Sequence, residues 1–291
     1  MNLLTILGSY STDEKCRELL KRLRWPNGVR CPRCQSKIVY PVAGRKQWEC
    51  KCGYQFSVTA GNIFGDSHLP LETWFAAVLL LVEARKGFSA NQMKRTLGVS
   101  YKTAWYLCHR IRAAMLESQQ TKLGGIVEID ETYVGGKIRG NRNWSKNKQA
   151  VLAIRQRGGP LRFFRAKGVT AETLSQFVRE HVSDDVELFI TDDYRPHAIV
   201  GYPFGKRHKT IRHLNRSYVR GIVHTNTVES AFSLLKRGII GTWHQVSAKH
   251  LPAYLNEMAF RFNRRKDSDL FVDTLKHMVT TPTLTFKNLT A

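Results

Sequence analysis

Three acidic residues lie far apart in the chain yet share the surroundings that phosphate chemistry needs. Asp130 closes the apolar run Ile126-Val-Glu-Ile-Asp130. Asp192 directly follows Phe189-Ile-Thr191. Glu229 sits near the start of the amphipathic segment Thr227-Val-Glu-Ser-Ala-Phe-Ser-Leu-Leu-Lys-Arg-Gly238. Carboxylates drawn together from such positions hold Mg²⁺ or Mn²⁺, which prefer oxygen ligands. Two such ions about 4 Å apart can activate a nucleophile and stabilise a leaving oxygen. Glu131 and Asp193 are the neighbouring alternatives to Asp130 and Asp192. Asn226 is the alternative to Glu229, because Asn226-Thr-Val-Glu229 also reads as a capping box. In that case Glu229 reaches back to the cap backbone and Asn226 faces the metal. Lys236 lies two turns beyond Glu229 on the same helical face, placed to meet a phosphate or a terminal base. His224, His244 and His250 are open to either phosphate contact or structural hydrogen bonding.

A second set of residues points to zinc. Cys31-Pro-Arg-Cys34 is followed, after fifteen residues, by Cys50-Lys-Cys52. Two thiolate knuckles on short hairpins can close a tetrahedral site. The segments between them, KIVYPV and KQWEC, read as short strands. A ribbon this small buries too little to fold alone, so the metal would supply its stability. The second knuckle is one residue shorter than the usual spacing. Cys16 and Cys108 stand apart and read as core.

The surroundings of these residues are basic. The chain has 291 residues, with 46 Lys plus Arg against 23 Asp plus Glu, a net charge of +23. Three stretches contain no acid at all: 84–116, 132–171 and 194–228. The second begins just after Asp130-Glu131, the third just after Asp192-Asp193, and the third ends at Glu229. Carboxylates are therefore isolated points in a field suited to a polyanion. At 42% apolar and 10% aromatic residues the chain is too hydrophobic to be disordered. Its longest apolar run, Trp74 to Val82, is about half of what a membrane span needs. The start has no signal-peptide pattern, so a cytoplasmic, nucleoid-associated location without disulfides is expected.

The elements that must position these groups can be read from caps and periodicity. Pro70 to Arg85 is an apolar core helix. Ser89 caps a helix that runs to Leu97 and stops at Gly98; Ser100 caps the next, from Tyr101 to about Leu116, with Val99 as the buried turn residue. This is a helix-turn-helix pattern, and Lys94, Arg95, Lys102, Arg110 and Arg112 are its candidate DNA contacts. Further on, IVEID is a strand whose acid is exposed at the end or edge of a sheet. QAVLAIRQ and LRFFRAK form a hairpin around Gly158-Gly159-Pro160. Thr170 caps a helix, VELFIT is a fourth strand, and a long basic connection leads to a helix from Thr225 or Asn226 to a stop at Gly238. A helix spans Ser247 to Arg265, and one more precedes a loose end. Three strands, a helix, a fourth strand and a late helix is the order of an RNase-H-like domain. The expected architecture is a multidomain α/β protein: residues 1–68 an N-terminal helix and zinc ribbon, 69–122 the helix-turn-helix region, 123–291 an RNase-H-like α/β/α domain.

These pieces resemble a known family. CPRC, WECKCGYQFSVTAGNIF, LPLETW, GFSANQMKRTLGVSYKTAW, HRIRAAM, VEIDETYVGG, TDDYR, HTNTVES and the closing FRFNRR occur in the order found in zinc-ribbon insertion-sequence transposases of the ISXO2-like group. The resemblance covers nearly the full length. It implies Mg²⁺-dependent (or Mn²⁺-dependent) cleavage of DNA at element ends followed by 3′-OH strand transfer, with structural Zn²⁺. It places the first acid on Asp130, the second on Asp192 and the trailing basic residue on Lys236. Glu and Asn both occur at the third place in such enzymes. Cys-x-Cys and the Asp193 of TDDYR depart from the commoner pattern. The implied partner is double-stranded DNA, both element ends and target, held by a homo-oligomer, with no membrane and no small-molecule substrate. Two other classes fit parts of the same chain: a transposase-derived DNA-binding regulator, and a DNA nuclease without strand transfer.

Overall fold

A computed structural model describes residues 3–117, 121–136, 148–211 and 221–291, without the side chains of residues 3 and 7. The chain forms two compact units. One comprises Met1–Met115 together with Lys266–Ala291; the other is Leu116–Arg265. The tail from Lys266, grouped in the sequence with the C-terminal domain, thus belongs to the first unit.

In the first unit, helices α1 (Leu3–Ser9) and α2 (Asp13–Arg24) precede a ribbon of strands β1 (Val39–Pro41), β2 (Trp48–Cys50) and β3 (Gln55–Phe56), paired antiparallel in that order. Trp25, Trp48 and Phe56 pack their rings together beneath it. The Arg24 guanidinium donates to the carbonyls of Val58 and Ala60, tying the end of α2 to the chain that leaves the ribbon. Helix α3 (Leu71–Glu83) buries Trp74, Phe75, Val78, Leu79 and Leu81, as an all-round apolar helix must. Helices α4 (Ala90–Leu97) and α5 (Tyr101–Ala114) follow the expected caps. Ser89 Oγ accepts from Gln92 N at 3.1 Å, Gly98 takes the left-handed conformation at φ +66°, and Ser100 Oγ accepts from Thr103 N at 3.1 Å. Val99 is only partly buried.

The second unit is a five-stranded mixed sheet between helices. Strands β4 (Ile126–Val134), β5 (Gln149–Gln156), β6 (Leu161–Ala166), β7 (Leu188–Asp192) and β8 (His208–Ile211) lie in the order β6-β5-β4-β7-β8. The first three are antiparallel neighbours; β7 and β8 join in parallel. Helices α6 (Ala171–His181) and α7 (Arg195–Gly201) cover one face, where Leu174, Phe177 and Val200 meet Val127, Ile129 and Ile154. Helices α8 (Asn226–Gly238) and α9 (Leu251–Asn263) cover the other, where Phe232, Leu235 and Tyr254 meet Val151, Ala153 and Phe163. This is the RNase-H-like order expected, in three layers. The basic connection after β7 also holds α7, a 3-10 turn (Tyr202–Arg207) and β8, none of which the sequence pattern had marked.

Helix α8 ends at Gly238 as expected, but not through a left-handed glycine. That residue is buried with ordinary helical angles, and the chain runs on through a π turn, Ile239–Trp243, to His244 at φ +58°. Helix α9 starts later than its sequence pattern suggests, at Leu251. The tail holds two helices, α10 (Leu270–Thr280) and α11 (Phe286–Thr290), rather than one and a loose end. Phe271 of α10 meets the rings of Tyr10 and Phe75, which is why the tail packs with the first unit. Among the described residues no helix is long and apolar enough to cross a membrane.

Candidate active site

The four ribbon cysteines come together. Cys31 Sγ lies 3.9 Å from Cys52 Sγ, and Cys34 Sγ lies 3.5 Å from Cys50 Sγ. Four thiolates at about 2.3 Å from one Zn²⁺ would stand roughly 3.8 Å apart, so the donor set fits a tetrahedral ion despite the short second knuckle. Burial pushes the Cys31 thiol up, but donation from the backbone N–H groups of Cys34 and Arg33 outweighs it and brings the pKa to about 7. Cys16 and Cys108 are buried, as expected of core thiols.

The helix-turn-helix separates its basic residues into two kinds. Lys94, Arg95 and Lys102 are exposed; the Lys102 ammonium rests 4.6 Å over the Phe286 ring. Arg110 and Arg112 are not surface residues, at 2% and 1% exposure. Arg110 donates to the carbonyls of Ile63 and Gly65, with its guanidinium over Trp74 and Tyr106; Arg112 donates to the carbonyl of Phe88. They flank the inward stripe of α5, where two loops close over them. Their assignment as DNA contacts is therefore withdrawn.

In the second unit the acids gather where the sheet divides. β4 and β7 pair from Ile126↔Leu188 to Glu128↔Ile190 and then part. The next residues on that face in the same register are Asp130 and Asp192. Asp130 is thus in the middle of a central strand, not at a sheet end or edge, at the point where β4 loses one neighbour. Burial, with the nearby charges of Glu131, Asp192 and Glu229, pushes the Asp130 carboxyl up to about 7. Asp192 Oδ1 accepts from Tyr194 N at 3.1 Å and from His197 Nδ1. Asp193 is exposed on the following turn.

Glu229 enters from α8. The helix cap is Thr225, not Asn226, so Asn226 is the first helical residue and Glu229 the fourth. Glu229 Oε1 accepts from the Thr225 hydroxyl at 2.7 Å rather than from a cap backbone N–H. Asn226 is exposed. Lys236 is exposed two turns further on, beside a hollow lined by Tyr133, Gln149, Ile240 and His244. Among the described residues, the one group of three or more His, Cys, Asp or Glu gathered as a metal would need is the four thiols, whose sulfurs all lie within 4.8 Å of one another.

Two buried residues beside these acids went unread in the sequence. Glu128 is fully buried and accepts from Thr227 N, Thr227 Oγ1 and Val228 N, while Arg157 Nε donates to it at 2.5 Å. His224 Nδ1 stands 3.5 Å from the same carboxylate. A charge inside the apolar run IVEI, two residues from Asp130, was the available signal. His197 is also fully buried, with Nε2 3.1 Å from Glu131 Oε2, an ion-pair distance without the alignment of a good hydrogen bond. Burial disfavours its charge, but Asp192 and Glu131 outweigh that and raise its pKa to about 9.

The thiolate ribbon and the mixed-sheet domain with carboxylates at its split are the two parts of the chain that transposase family models match. Residues 122–263 match the family described as ISXO2-like transposase domain, and residues 11–55 match the transposase zinc-ribbon domain. The domain at 122–263 belongs to the ISXO2-like transposase family, and the segment 11–55 is a transposase zinc ribbon. A relative from Halobacterium salinarum, an uncharacterized protein in transposable element ISH50, is 28% identical over 274 residues, covering 87% of this chain and 92% of its own. A crystal structure of a pre-cleavage Mos1 transpososome aligns with 70% of this chain and 75% of that chain, at 12% identity and a TM-score of 0.30.

Proposed function

We propose that the protein binds the terminal inverted repeats of an insertion sequence, cleaves DNA there, and joins the freed 3′-OH to target DNA. The observation that carries this reading is the β4–β7 register, whose continuation brings Asp130 and Asp192 to the point where the strands part, with Glu229 near enough for its charge to act on Asp130. The half-buried Asp130 carboxyl is pushed up to about 7, by desolvation first and then by the charges of Glu131, Asp192 and Glu229, which puts several oxygen donors near one place. Mg²⁺ or Mn²⁺ fits that chemistry, with Asp130, Asp192 and Glu229 as its holders. When bound, such an ion supplies activation of a nucleophile and stabilisation of a leaving oxygen.

The chain's own residues do the rest by position. Glu229, rather than Asn226, is the third acid in this reading, since its charge reaches Asp130. Lys236, exposed on the same helix, meets phosphate. Lys94, Arg95 and Lys102, with the ribbon, grip double-stranded DNA, and a homo-oligomer brings two ends together. Catalysis then rests on orientation and charge, with no covalent enzyme intermediate.

The test is incubation of the purified chain with labelled element ends and target DNA in Mg²⁺ or Mn²⁺. Cleaved and joined products are expected, both lost in Asp130→Asn and Glu229→Ala, with Asn226→Ala retaining activity. Cleaved ends without joined product would leave a nuclease. Binding without either product would leave a regulator and overturn the reading.

A further inference from the structure

The backbone ladder between β4 and β7 ends at Glu128↔Ile190, yet the two acid-bearing segments remain connected beyond it. The connection is a side chain. His197, the third residue of α7, has no exposed surface. Its Nδ1 donates to Asp192 Oδ1, at the end of β7. Its Nε2 lies 3.1 Å from Glu131 Oε2, on β4. Glu131 follows Asp130 and points to the α7 face, whereas Asp130 shares the α8 face with Glu128.

Helix α7 is itself seated firmly. A Cβ on Gly201 would come within 2.0 Å of the His208 ring, so α7 lies flush against β8 and only glycine fits. The other side of that ring is fixed, with His208 Nε2 3.0 Å from Thr191 Oγ1. The Tyr194 carbonyl accepts from His197 N at 2.8 Å, and Tyr194 N donates to Asp192 Oδ1. The imidazole, its backbone and the end of β7 thus form one small closed assembly.

We infer that His197 is a positioning residue for the cation site: it spans the gap where the sheet divides and sets the direction and spacing of Asp192 relative to Asp130. Two hydrogen bonds to Asp192 fall on Oδ1, which restrains rotation of the carboxylate and so the direction of its second oxygen. The contact with Glu131 holds the far side of the gap. Such outer-sphere partners typically govern metal affinity by about 10–100-fold. The inference rests on the proposed assignment of Asp130 and Asp192 as cation holders.

Three variants separate the two ends of the bridge. His197→Asn places an amide donor where Nδ1 is, toward Asp192. His197→Gln places one where Nε2 is, toward Glu131. His197→Ala removes both. The readout is Mn²⁺ binding to the zinc-loaded full chain by electron paramagnetic resonance, with cleavage rate against Mn²⁺ concentration as a second measure. His197→Ala and His197→Gln should bind Mn²⁺ about 10–100-fold more weakly, with much of the rate returning at saturating Mn²⁺. His197→Asn, which keeps the bond to Asp192 and loses the contact with Glu131, should lie between His197→Gln and wild type. A folded His197→Ala that binds Mn²⁺ like wild type overturns the inference, as does His197→Asn losing as much affinity as His197→Gln. The second comparison holds even if His197→Ala fails to fold. A wild-type chain that binds no Mn²⁺, or Asp130→Asn binding it equally well, overturns the cation-site reading and takes the inference with it.

Discussion

Glu128 Oε2 accepts from the backbone N–H of Val228 at 3.0 Å, so a buried carboxylate on the central strand caps the helix that carries Glu229. The first turn of a helix leaves N–H groups unpaired and carries a partial positive charge. Thr225, the cap residue, makes no side-chain bond to that turn; its hydroxyl goes to Glu229 instead. Strand β4 thus supplies both the cap of α8, through Glu128, and Asp130, two residues on. One strand sets the register between the first acid and the third.

Glu128→Ala should therefore be costly. It leaves Arg157 without its carboxylate and the α8 N–H groups unpaired in a buried place. Breaking a buried pair by removing one partner costs about 3–5 kcal/mol. The urea midpoint of the second unit's unfolding measures this. A change below about 1 kcal/mol would show that the cap carries little energy.

The pKa of Asp130 makes a pH prediction whose sign is definite. Its folded pKa is raised to about 7 from an ordinary 3.8. Between those values the folded chain keeps a proton that the unfolded chain has released, so stability falls as pH rises through that window. Asp130→Asn removes the penalty. Without added Mg²⁺, the variant should melt at a higher temperature than wild type at pH 8, and the two should converge near pH 4. The zinc-loaded chain must be used without chelator. Added Mg²⁺ should raise the melting temperature of wild type alone. Equal melting at pH 8 would refute the electrostatic account.

Arginine burial separates grip from stability in the helix-turn-helix. Lys94→Ala, Arg95→Ala and Lys102→Ala should each weaken binding across all DNA sequences and lower the salt slope by about 1. Arg110→Ala should instead lower the melting temperature, because the Ile63 and Gly65 carbonyls lose their donor inside the core. Fluorescence anisotropy at several salt concentrations, beside thermal melting, distinguishes the two classes. A salt slope unchanged in all three lysine and arginine surface variants would remove α4 and α5 from the DNA interface.

The zinc ribbon should be separable from the catalytic unit. Cys50→Ser should lower the zinc content from about one per chain toward none, and with it the affinity for DNA by at least about tenfold. The unfolding transition of residues 116–265 should stay in place, since these residues form a compact unit of their own. Loss of both transitions together would contradict that independence.

What the sequence disclosed was whatever is local. The caps Ser89, Ser100 and Thr170 bond to N–H groups three residues away, so their identity is enough to place a helix start. The knuckle spacing Cys31-Cys34 and Cys50-Cys52 is equally local, and strand pattern located Asp130. What escaped was decided by partners remote in the chain. Arg110 looks like any basic residue until a carbonyl 47 residues earlier receives it. Gly238 does end α8, but the π turn that follows it could not be read from the glycine. His197 has its two partners on different strands, and no spacing rule joins 131, 192 and 197. Helix α10 was legible as a helix, but its attachment to α2 and α3 was not.

That attachment has a consequence for the order in which the molecule is made. The second unit is one continuous segment, whereas the first is completed only by Lys266–Ala291. A chain emerging from the ribosome contains every residue of Asp130, Asp192 and Glu229 before Phe271 arrives to meet Tyr10 and Phe75. Domains fold as units during synthesis, usually the N-terminal one first. Here the unit that begins earliest must finish last, so translation stopped between Glu229 and the tail yields the acids without the completed core beneath α4 and α5.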